Sequence, residues 1–272
     1  MGKPVNRVLF VNSEIMPFLP ETPLSRIGRC LPQGIQERKK GIRAFMPRYG
    51  CINERKNQLH EVIRLSGMNI IIGDVDRPLV IKVASITSAR IQVYFIDNED
   101  YFRRKQISYD TDGKFFEDNG QRAIFFARGV LETVKKLRWA PDVIHCQGWI
   151  SHLVPLYLKK AYNGDPIFSG SRIVTSLYNE AAEEKLSPSL KDNVLFGGIK
   201  PADVSLLEEP TGINLAKTAA LYSDGIILGD KDVAPELVKF CEERSMPILP
   251  FSEDSISSGR YIEEYDGFYQ QL

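Results

Sequence analysis

Titratable side chains lie near the ends of predicted strands, which is where α/β proteins bind their ligands. Glu14 follows the apolar segment 7–12, Asp97 ends a later segment, and His145 lies near the end of a third. Ligands of open parallel sheets collect outside the carboxyl ends of the strands, so all three are candidate binding residues. Glu14 could instead stabilise a turn, and the role of Asp97 is equally undecided. A histidine that ends a buried strand is more often a hydrogen-bonded core residue.

The cysteines and the charge balance argue against several kinds of site. The four cysteines are widely spaced and form no Cys-x-x-Cys pair, so the sequence predicts no zinc site and no disulfide framework, and a cytoplasmic location fits. Lys and Arg number 35, as do Asp and Glu, so the net charge is zero and we expect neither nucleic acid nor a membrane as partner. No metal ion and no cofactor is expected.

Short strands and helices alternate along the chain. Six apolar segments are predicted as strands: 7–12, 43–46, 90–96, 142–146, 172–177 and 225–229. Five amphipathic segments are predicted as helices: 24–40, 119–137, 150–161, 214–222 and 233–243. This alternation is typical of an α/β, Rossmann-like fold with a mostly parallel sheet of about seven strands and helices on both faces.

Three segments depart from that alternation. Residues 51–88 are predicted as a β-rich insertion, and 183–212 as a long irregular segment. Residues 256–272 are predicted to form a helical tail that packs on the sheet domain and is interrupted at Gly267. The expected organisation is therefore a Rossmann-like domain over 1–255 followed by that tail.

Six phrases resemble, in order, those of the bacterial glycogen and starch synthases, two-domain GT-B glycosyltransferases that use nucleotide-activated glucose. They are VLFVNSEIMPF (8–18), FMPRYG (45–50), YFIDNEDYF (94–102), DNGQRAIFFARGVLE (118–132), PDVIHCQGW (141–149) and GINLAKTAALYSD (212–224). One such match would be weak, whereas six ordered matches are hard to explain by chance. The resemblance implies the N-terminal half of a GT-B enzyme.

The resemblance implies binding roles for further polar residues. Glu14 would contact the sugar or the acceptor, and five others lie in matching helical phrases: Asp118, Asn119, Arg122, Asn214 and Lys217. Asp118 or Asn119 could instead cap its helix at the N-terminus, which we favour. Lys217 is equally well explained as a surface lysine.

Three aromatic residues could stack on a sugar ring. They are Tyr101, Phe102 and Tyr109, and aromatic faces suit the apolar face of glucose. Aromatic residues in loops more often fill the core, and packing is also the expected role of Trp149.

Two motifs depart from the family pattern. The family's Lys-x-Gly-Gly-Leu loop, whose lysine faces the donor phosphates, is replaced by Pro-Glu-Thr-Pro-Leu (20–24), so that Glu21 would meet an anionic phosphate. The family's His-x-His-Asp-Trp-His phrase is replaced by His-Cys-Gln-Gly-Trp-Ile (145–150). Ile150 thus stands where the family has a histidine against the transferred glucose, and isoleucine carries no proton.

A third departure concerns the donor-binding half of the family. The chain stops where the family's C-terminal domain would begin, so we expect exposed apolar residues that favour a protein partner, a homo-oligomer or covering by the tail. The candidates are 18–20, Ile150 and 268–269.

Two functions remain open from the sequence. We favour a domain of α-glucan metabolism without catalytic residues of its own, which binds a glycan, a nucleotide sugar or a protein partner. Losing the lysine and the histidine would each cost about 2–4 kcal/mol of transition-state stabilisation. The alternative is an active glucosyltransferase with an altered site or a separate C-terminal half.

Overall fold

Ten strands form one sheet within residues 4–272, which the computed structural model describes. They are β1 (Arg7–Asn12), β2 (Gly41–Pro47), β3 (His60–Glu61), β4 (Met68–Ile72), β5 (Val75–Ile86), β6 (Ile91–Asp97), β7 (Val143–Gln147), β8 (Arg172–Leu177), β9 (Gly225–Leu228) and β10 (Ile248–Leu249). The order across the sheet is β10-β9-β8-β7-β1-β2-β6-β5-β3, with β4 paired to β5.

The strands from β10 across to β6 are mutually parallel, whereas β3, β4 and β5 pair antiparallel. Chain order runs outward in both directions from the pair β1–β7, which makes that pair the topological switch point. This architecture confirms the predicted α/β fold with a mostly parallel sheet. Residues 51–88 contain the three antiparallel strands.

Helices cover both faces of the sheet. They are α1 (Pro23–Glu37), α2 (Glu99–Phe102), α3 (Asn119–Leu137), α4 (Val154–Lys160), α5 (Leu190–Asn193), α6 (Gly212–Leu221), α7 (Pro235–Glu242), α8 (Glu253–Ser258) and α9 (Tyr261–Gln271). Successive residues of a strand face opposite sides: Gly225 of β9 meets Phe268 of α9, while Ile226 packs in the cluster of Ala220 and Leu237 from α6 and α7.

The β4–β5 hairpin lies at a sheet edge beside α3. Its register runs from Ile72↔Val75 to Met68↔Leu79. Arg128 of α3 donates a hydrogen bond from Nη1 to the backbone carbonyl oxygen of Ile71 at 2.5 Å. The guanidinium therefore satisfies an acceptor at this edge.

The last helix is anchored to the centre of the sheet. Its aromatic residues Tyr261, Tyr265, Phe268 and Tyr269 are all buried. The Tyr269 hydroxyl lies 2.7 Å from Nδ1 of His145, and Nε2 of His145 lies 2.7 Å from the Ser176 hydroxyl. The predicted interruption at Gly267 is wrong, because α9 continues through it to Gln271 and packing on both sides of the glycine holds the helix.

Two histidines are buried in this core, in neutral form. Burial lowers the pKa of His145 to about 3 and that of His152 to about 4. Neither ring nitrogen of His152 has a hydrogen-bond partner in the described chain. The unfolded chain takes up these protons below about pH 6.5, whereas the folded chain does not, so stability falls as the pH decreases from about 6.5 toward 4.

We expect His152→Leu to reduce the loss of stability between about pH 7.5 and pH 5, because the variant no longer binds an extra proton when it unfolds. Urea unfolding at both pH values measures the effect. His60→Gln, at an exposed strand residue, is the matched control and should keep the wild-type dependence. Equal pH dependence in His152→Leu and wild type would contradict this account.

Substitutions at two glycines, Gly267 and Gly225, should change the stability of the docked α9 in opposite directions. A Cβ at Gly267 would have no neighbour within 4 Å, so Gly267→Ala should raise the free energy of unfolding by about 0.5–1 kcal/mol. A Cβ at Gly225 would lie 2.8 Å from Leu272 and 2.9 Å from Phe268, so Gly225→Val should lower it by about 1–3 kcal/mol. Thermal or urea unfolding measures both, and effects of the same sign would contradict the described packing.

Candidate functional site

A cleft of about 320 Å³ opens at the carboxyl edge of the parallel strands, around the switch point. Its walls come from the segments that follow β1, β2, β7 and β8 and from the loop before α3. The lining residues are Ser13, Glu14, Tyr49, Ile107, Ser108, Tyr109, Trp149, Asn179, Glu180 and Ala181. This is the position at which ligands of doubly wound sheets bind.

Glu14 is held by the start of α1. A Cβ at Gly28 of that helix would lie 2.2 Å from the Glu14 carbonyl oxygen, so only glycine permits this approach. The Thr22 hydroxyl donates to Glu14 Oε2 at 2.7 Å and accepts from the Ser25 backbone N–H at 3.0 Å, which caps α1. One hydroxyl thus orients the carboxylate and begins the helix.

The turn after β7 brings two walls of the cleft together. Gly148 has φ +83°, and a Cβ there would lie 2.1 Å from Ser13 Oγ. The chain turns at this glycine into a short 3₁₀ helix, Trp149–Ser151. The Trp149 backbone N–H donates to Glu180 Oε2 at 3.2 Å, which orients the second carboxylate of the cleft.

The environment of Glu180 favours its protonated form. Burial raises the pKa of Glu180 to about 8, and the negative charges of Glu14 and Asp230 add to the effect. The hydrogen bond from the Trp149 N–H opposes the shift but is outweighed. Glu180 therefore carries its proton at neutral pH, so that its hydroxyl can donate a hydrogen bond.

The cleft is acidic. Among its described lining residues there is no lysine and no arginine. Glu184 lies close enough to the rim residue Tyr109 to add to the effect of burial in raising the pKa of that phenol. No group of three or more His, Cys, Asp or Glu residues within 4–272 is arranged to hold a metal ion.

Of the eight residues proposed from the sequence, Glu14 is the one that lines this cleft. Asp97 is buried at the end of β6 and pairs with Lys82 Nζ at 2.9 Å and Arg48 Nε at 3.2 Å. Glu54 pairs with the same two cations. These ion pairs join β6 to the β-rich insertion, which is a structural role for Asp97. His145 lies in the core described above, outside the cleft lining.

The start of α3 lies behind the cleft wall. The predicted side-chain cap is absent there, because Asp118 pairs with Arg104 Nη2 at 2.5 Å and Asn119 donates to the Ser108 carbonyl oxygen at 2.9 Å. Arg122 donates to Asn119 Oδ1 at 2.6 Å, and burial lowers its pKa to about 10. Since Ser108 lines the cleft, this network supports the wall from behind.

Asn214 and Lys217 are directed away from the cleft. Asn214 donates from Nδ2 to the Glu209 carbonyl oxygen at 2.8 Å. Lys217 pairs with Glu236 of α7 and lies 5.8 Å from the Phe240 ring, and its side chain is 13% exposed. Lys217 thus joins α6 to α7 at the edge of the protein, and a role in binding stays a prediction.

The acid of the altered 20–24 loop lies outside the cleft lining. Glu21 is exposed and pairs with Arg26 one turn into α1, and its encounter with a donor phosphate stays a prediction. The reason for this placement is local: Thr22 caps the helix and Pro23 occupies its first position, which fixes the direction of the loop.

Most of the apolar residues predicted to favour an oligomer lie inside the protein, and Pro20 is the exposed one among them. Phe18, Leu19, Ile150, Phe268 and Tyr269 are all buried. Phe18 packs edge-on against Phe95 at 4.9 Å, and Phe268 of the tail packs against Gly225 of β9. The chain's own loop and tail therefore cover these residues, while a protein partner or an oligomer stays a prediction.

The three candidate stacking residues divide between core and cleft. Tyr101 and Phe102 are buried and contact Phe125 of α3, as core residues do. Tyr109 is 38% exposed on the rim of the cleft, and Trp149 packs against Phe115 at 5.4 Å with one side in the cleft. Tyr109 and Trp149 thus offer aromatic surface to a ligand.

Sequence reasoning missed Glu180, Tyr49 and Ser13. Glu180 follows the predicted strand 172–177 and Ser13 follows 7–12, which was the same signal that pointed to Glu14. Tyr49 follows the strand 43–46 in the same way. A consistent search of residues just beyond strand ends would have found all three.

The fold is that of one half of a GT-B glycosyltransferase. The catalytic domain of starch synthase IV from Arabidopsis thaliana, bound to ADP and acarbose, superposes with a TM-score of 0.72 at 15% identity, over 92% of this chain and 51% of that one. The chain belongs to the starch synthase catalytic domain family, whose model matches residues 7–246. This confirms the resemblance inferred from the sequence.

Curated relatives include bacterial glycogen synthases. That of Chlorobium limicola is 34% identical over 235 residues, covering 85% of this chain and 47% of the relative. That of Chlorobium phaeobacteroides is 37% identical over 257 residues, covering 88% and 50%. The chain therefore spans about half the length of these relatives. Within residues 4–272, each helix is too short or too polar to cross a membrane.

We expect Glu14→Gln to lower the pKa of Glu180 from about 8, because it removes a nearby negative charge, while burial still holds the value above that of a free glutamate. Titration of the glutamate side-chain carboxyl carbons by ¹³C NMR measures it. Glu21→Gln, at the exposed acid paired with Arg26, should leave the titration unchanged. An unshifted Glu180 in Glu14→Gln would show that the two carboxylates do not interact.

Proposed function

We propose that this chain is a non-catalytic, saccharide-binding domain of the glycogen and starch synthase family that acts in α-glucan metabolism. The observation that carries the proposal is the pair Glu14 and Glu180 at the switch-point cleft, with no cationic side chain among the described lining residues. Of the glycan, nucleotide sugar and protein ligands that the sequence left open, this lining favours a saccharide.

Hydroxyl groups and a sugar ring would find matching partners in this cleft. Glu14 accepts hydrogen bonds from hydroxyls, and protonated Glu180 can both donate and accept. Asn179 adds an amide, and Tyr109 and Trp149 offer aromatic surface to the apolar face of a sugar ring.

A diphosphate would be bound poorly by the same groups. The negative charge of Glu14 would repel it, and the helix that could attract it has few free N–H groups at its N-terminus. Thr22 occupies the Ser25 N–H of α1, and Pro23 has no N–H to offer. Binding of a nucleotide-activated sugar as donor is therefore disfavoured at this edge.

The alternative is an active glucosyltransferase with an altered site or a separate C-terminal half. It is favoured by the relatives named glycogen synthase and by the ADP and acarbose bound to the Arabidopsis enzyme. It would require groups other than those of this cleft to neutralise the donor phosphates.

We expect the purified chain to bind malto-oligosaccharides, to bind ADP-glucose at least about tenfold more weakly, and to transfer no glucose from ADP-glucose or UDP-glucose to glycogen. Calorimetry and a radiolabelled transfer assay measure these results. Glu14→Ala should weaken saccharide binding about tenfold or more, whereas Glu21→Ala should not. Turnover that is lost in Glu14→Gln or Asp118→Asn would establish the alternative instead.

A further inference from the structure

We propose that the cleft binds a saccharide with a protonated amine, placed between the carboxyl groups of Glu14 and Glu180, more tightly than it binds the neutral malto-oligosaccharides. The proposal rests on saccharide binding at this site and names the chemical class of the sugar. Three features of the cleft support it: the charges around it, its unpaired hydroxyls and the one carboxyl oxygen that each acid keeps free of protein donors.

The charges around the cleft are negative and are not balanced from within. Glu14 and Glu180 line it, Glu184 lies beside the rim, and Asp230 lies near Glu180 while accepting from the Asn179 backbone N–H at 2.8 Å. The cation Arg122, behind this wall, is enclosed at 5.8 Å from the Tyr49 ring. A cationic ligand would be attracted by this cluster, whereas a neutral sugar gains only hydrogen bonds.

Two buried hydroxyls of the lining point to a ligand that donates hydrogen bonds. Ser13 is 3% exposed and Tyr49 is 1% exposed, yet neither hydroxyl has a hydrogen-bond partner in the described chain. Buried polar groups are nearly always paired. An ammonium group has three N–H donors and no acceptor, so it suits a site made of carboxylate and hydroxyl oxygens.

Each carboxyl group is anchored through one oxygen. Thr22 donates to Oε2 of Glu14 at 2.7 Å, and the Trp149 N–H donates to Oε2 of Glu180 at 3.2 Å. Among the described contacts no protein group donates to the two Oε1 atoms. Both acids are therefore held in place with one oxygen each for a ligand.

Binding of an amine would release the proton of Glu180. Glu180 retains this proton because it is buried beside Glu14, and an ammonium group between the two acids supplies the positive charge in its place. The proton passes to the solvent buffer, Glu180 becomes a carboxylate, and no covalent bond to carbon changes. A neutral sugar of the same size leaves the proton on Glu180.

The test compares three trisaccharides by calorimetry at about pH 6, where the sugar amine already carries its proton, in two buffers of different ionisation enthalpy. They are the 1→4-linked trimer of glucosamine, its fully N-acetylated and neutral counterpart, and maltotriose. We expect the amine-bearing trimer to bind at least about tenfold more tightly than the neutral two and to release close to one proton. Glu180→Gln should abolish the proton release, and Glu21→Gln should leave both affinity and proton release unchanged.

Equal affinity for all three sugars without proton release would contradict the proposal of an amine-bearing ligand but not the proposed saccharide-binding function. If none of the three sugars binds, both proposals are wrong. A further experiment adds Mg²⁺ or Ca²⁺ alone and follows the ¹³C NMR signal of the Glu180 carboxyl carbon. If the metal ion shifts this signal and the glucosamine trimer does not, the proposal of an amine ligand is wrong. Circular dichroism of each variant confirms that a loss of binding is not a loss of folding.

Discussion

The parallel pairing of β1 with β7 is the contact on which the cleft depends. The register joins Val8 to Val143 and Asn12 to Gln147, and it continues as the Ser13 N–H donates to the Gln147 carbonyl oxygen at 2.8 Å. Both strands are buried on both faces, so a shift of register would expose apolar residues along their length. Because Asn12 and Gln147, the last residues of the two strands, are paired, the segments that follow β1 and β7 come into contact at Ser13 and Gly148. This is why two carboxyl groups far apart in the sequence share one environment.

The α1 terminus shows how a small change of sequence redirects a binding edge. A helix that begins beside a cleft can attract an anion through its free N–H groups. Here Thr22 takes one of these donors, Pro23 lacks another, and the same Thr22 hydroxyl donates to Glu14. The helix terminus therefore stabilises a protein carboxylate in the cleft. The same hydroxyl thus orients one acid of the cleft and occupies one donor of the helix.

The fold could be predicted from the sequence because strands buried on both faces are continuous apolar runs, as at 7–12 and 172–177. The candidate site could be predicted only in part, although Glu14 was found from its place after a strand. Glu180, in the same position relative to its own strand, was overlooked. Asp118 was misassigned because its ion pair with Arg104 joins segments whose distance the local pattern does not encode. Close backbone approaches such as that of Gly148 to Ser13 appear only in three dimensions.

The β4–β5 hairpin has a consequence for the colloidal behaviour of the protein. β4 reads MNIII, Ile71 is 55% exposed, and apolar strands at a sheet edge are templates for pairing with a second chain. The guanidinium of Arg128 occupies the carbonyl oxygen through which such pairing would continue, and it also stacks on Phe196 at 3.7 Å from the ring. A buried helix thus contributes a charged blocking group to the rim of the sheet. In this way the fold guards the edge at the exposed Ile71 against intermolecular sheet growth in concentrated solution.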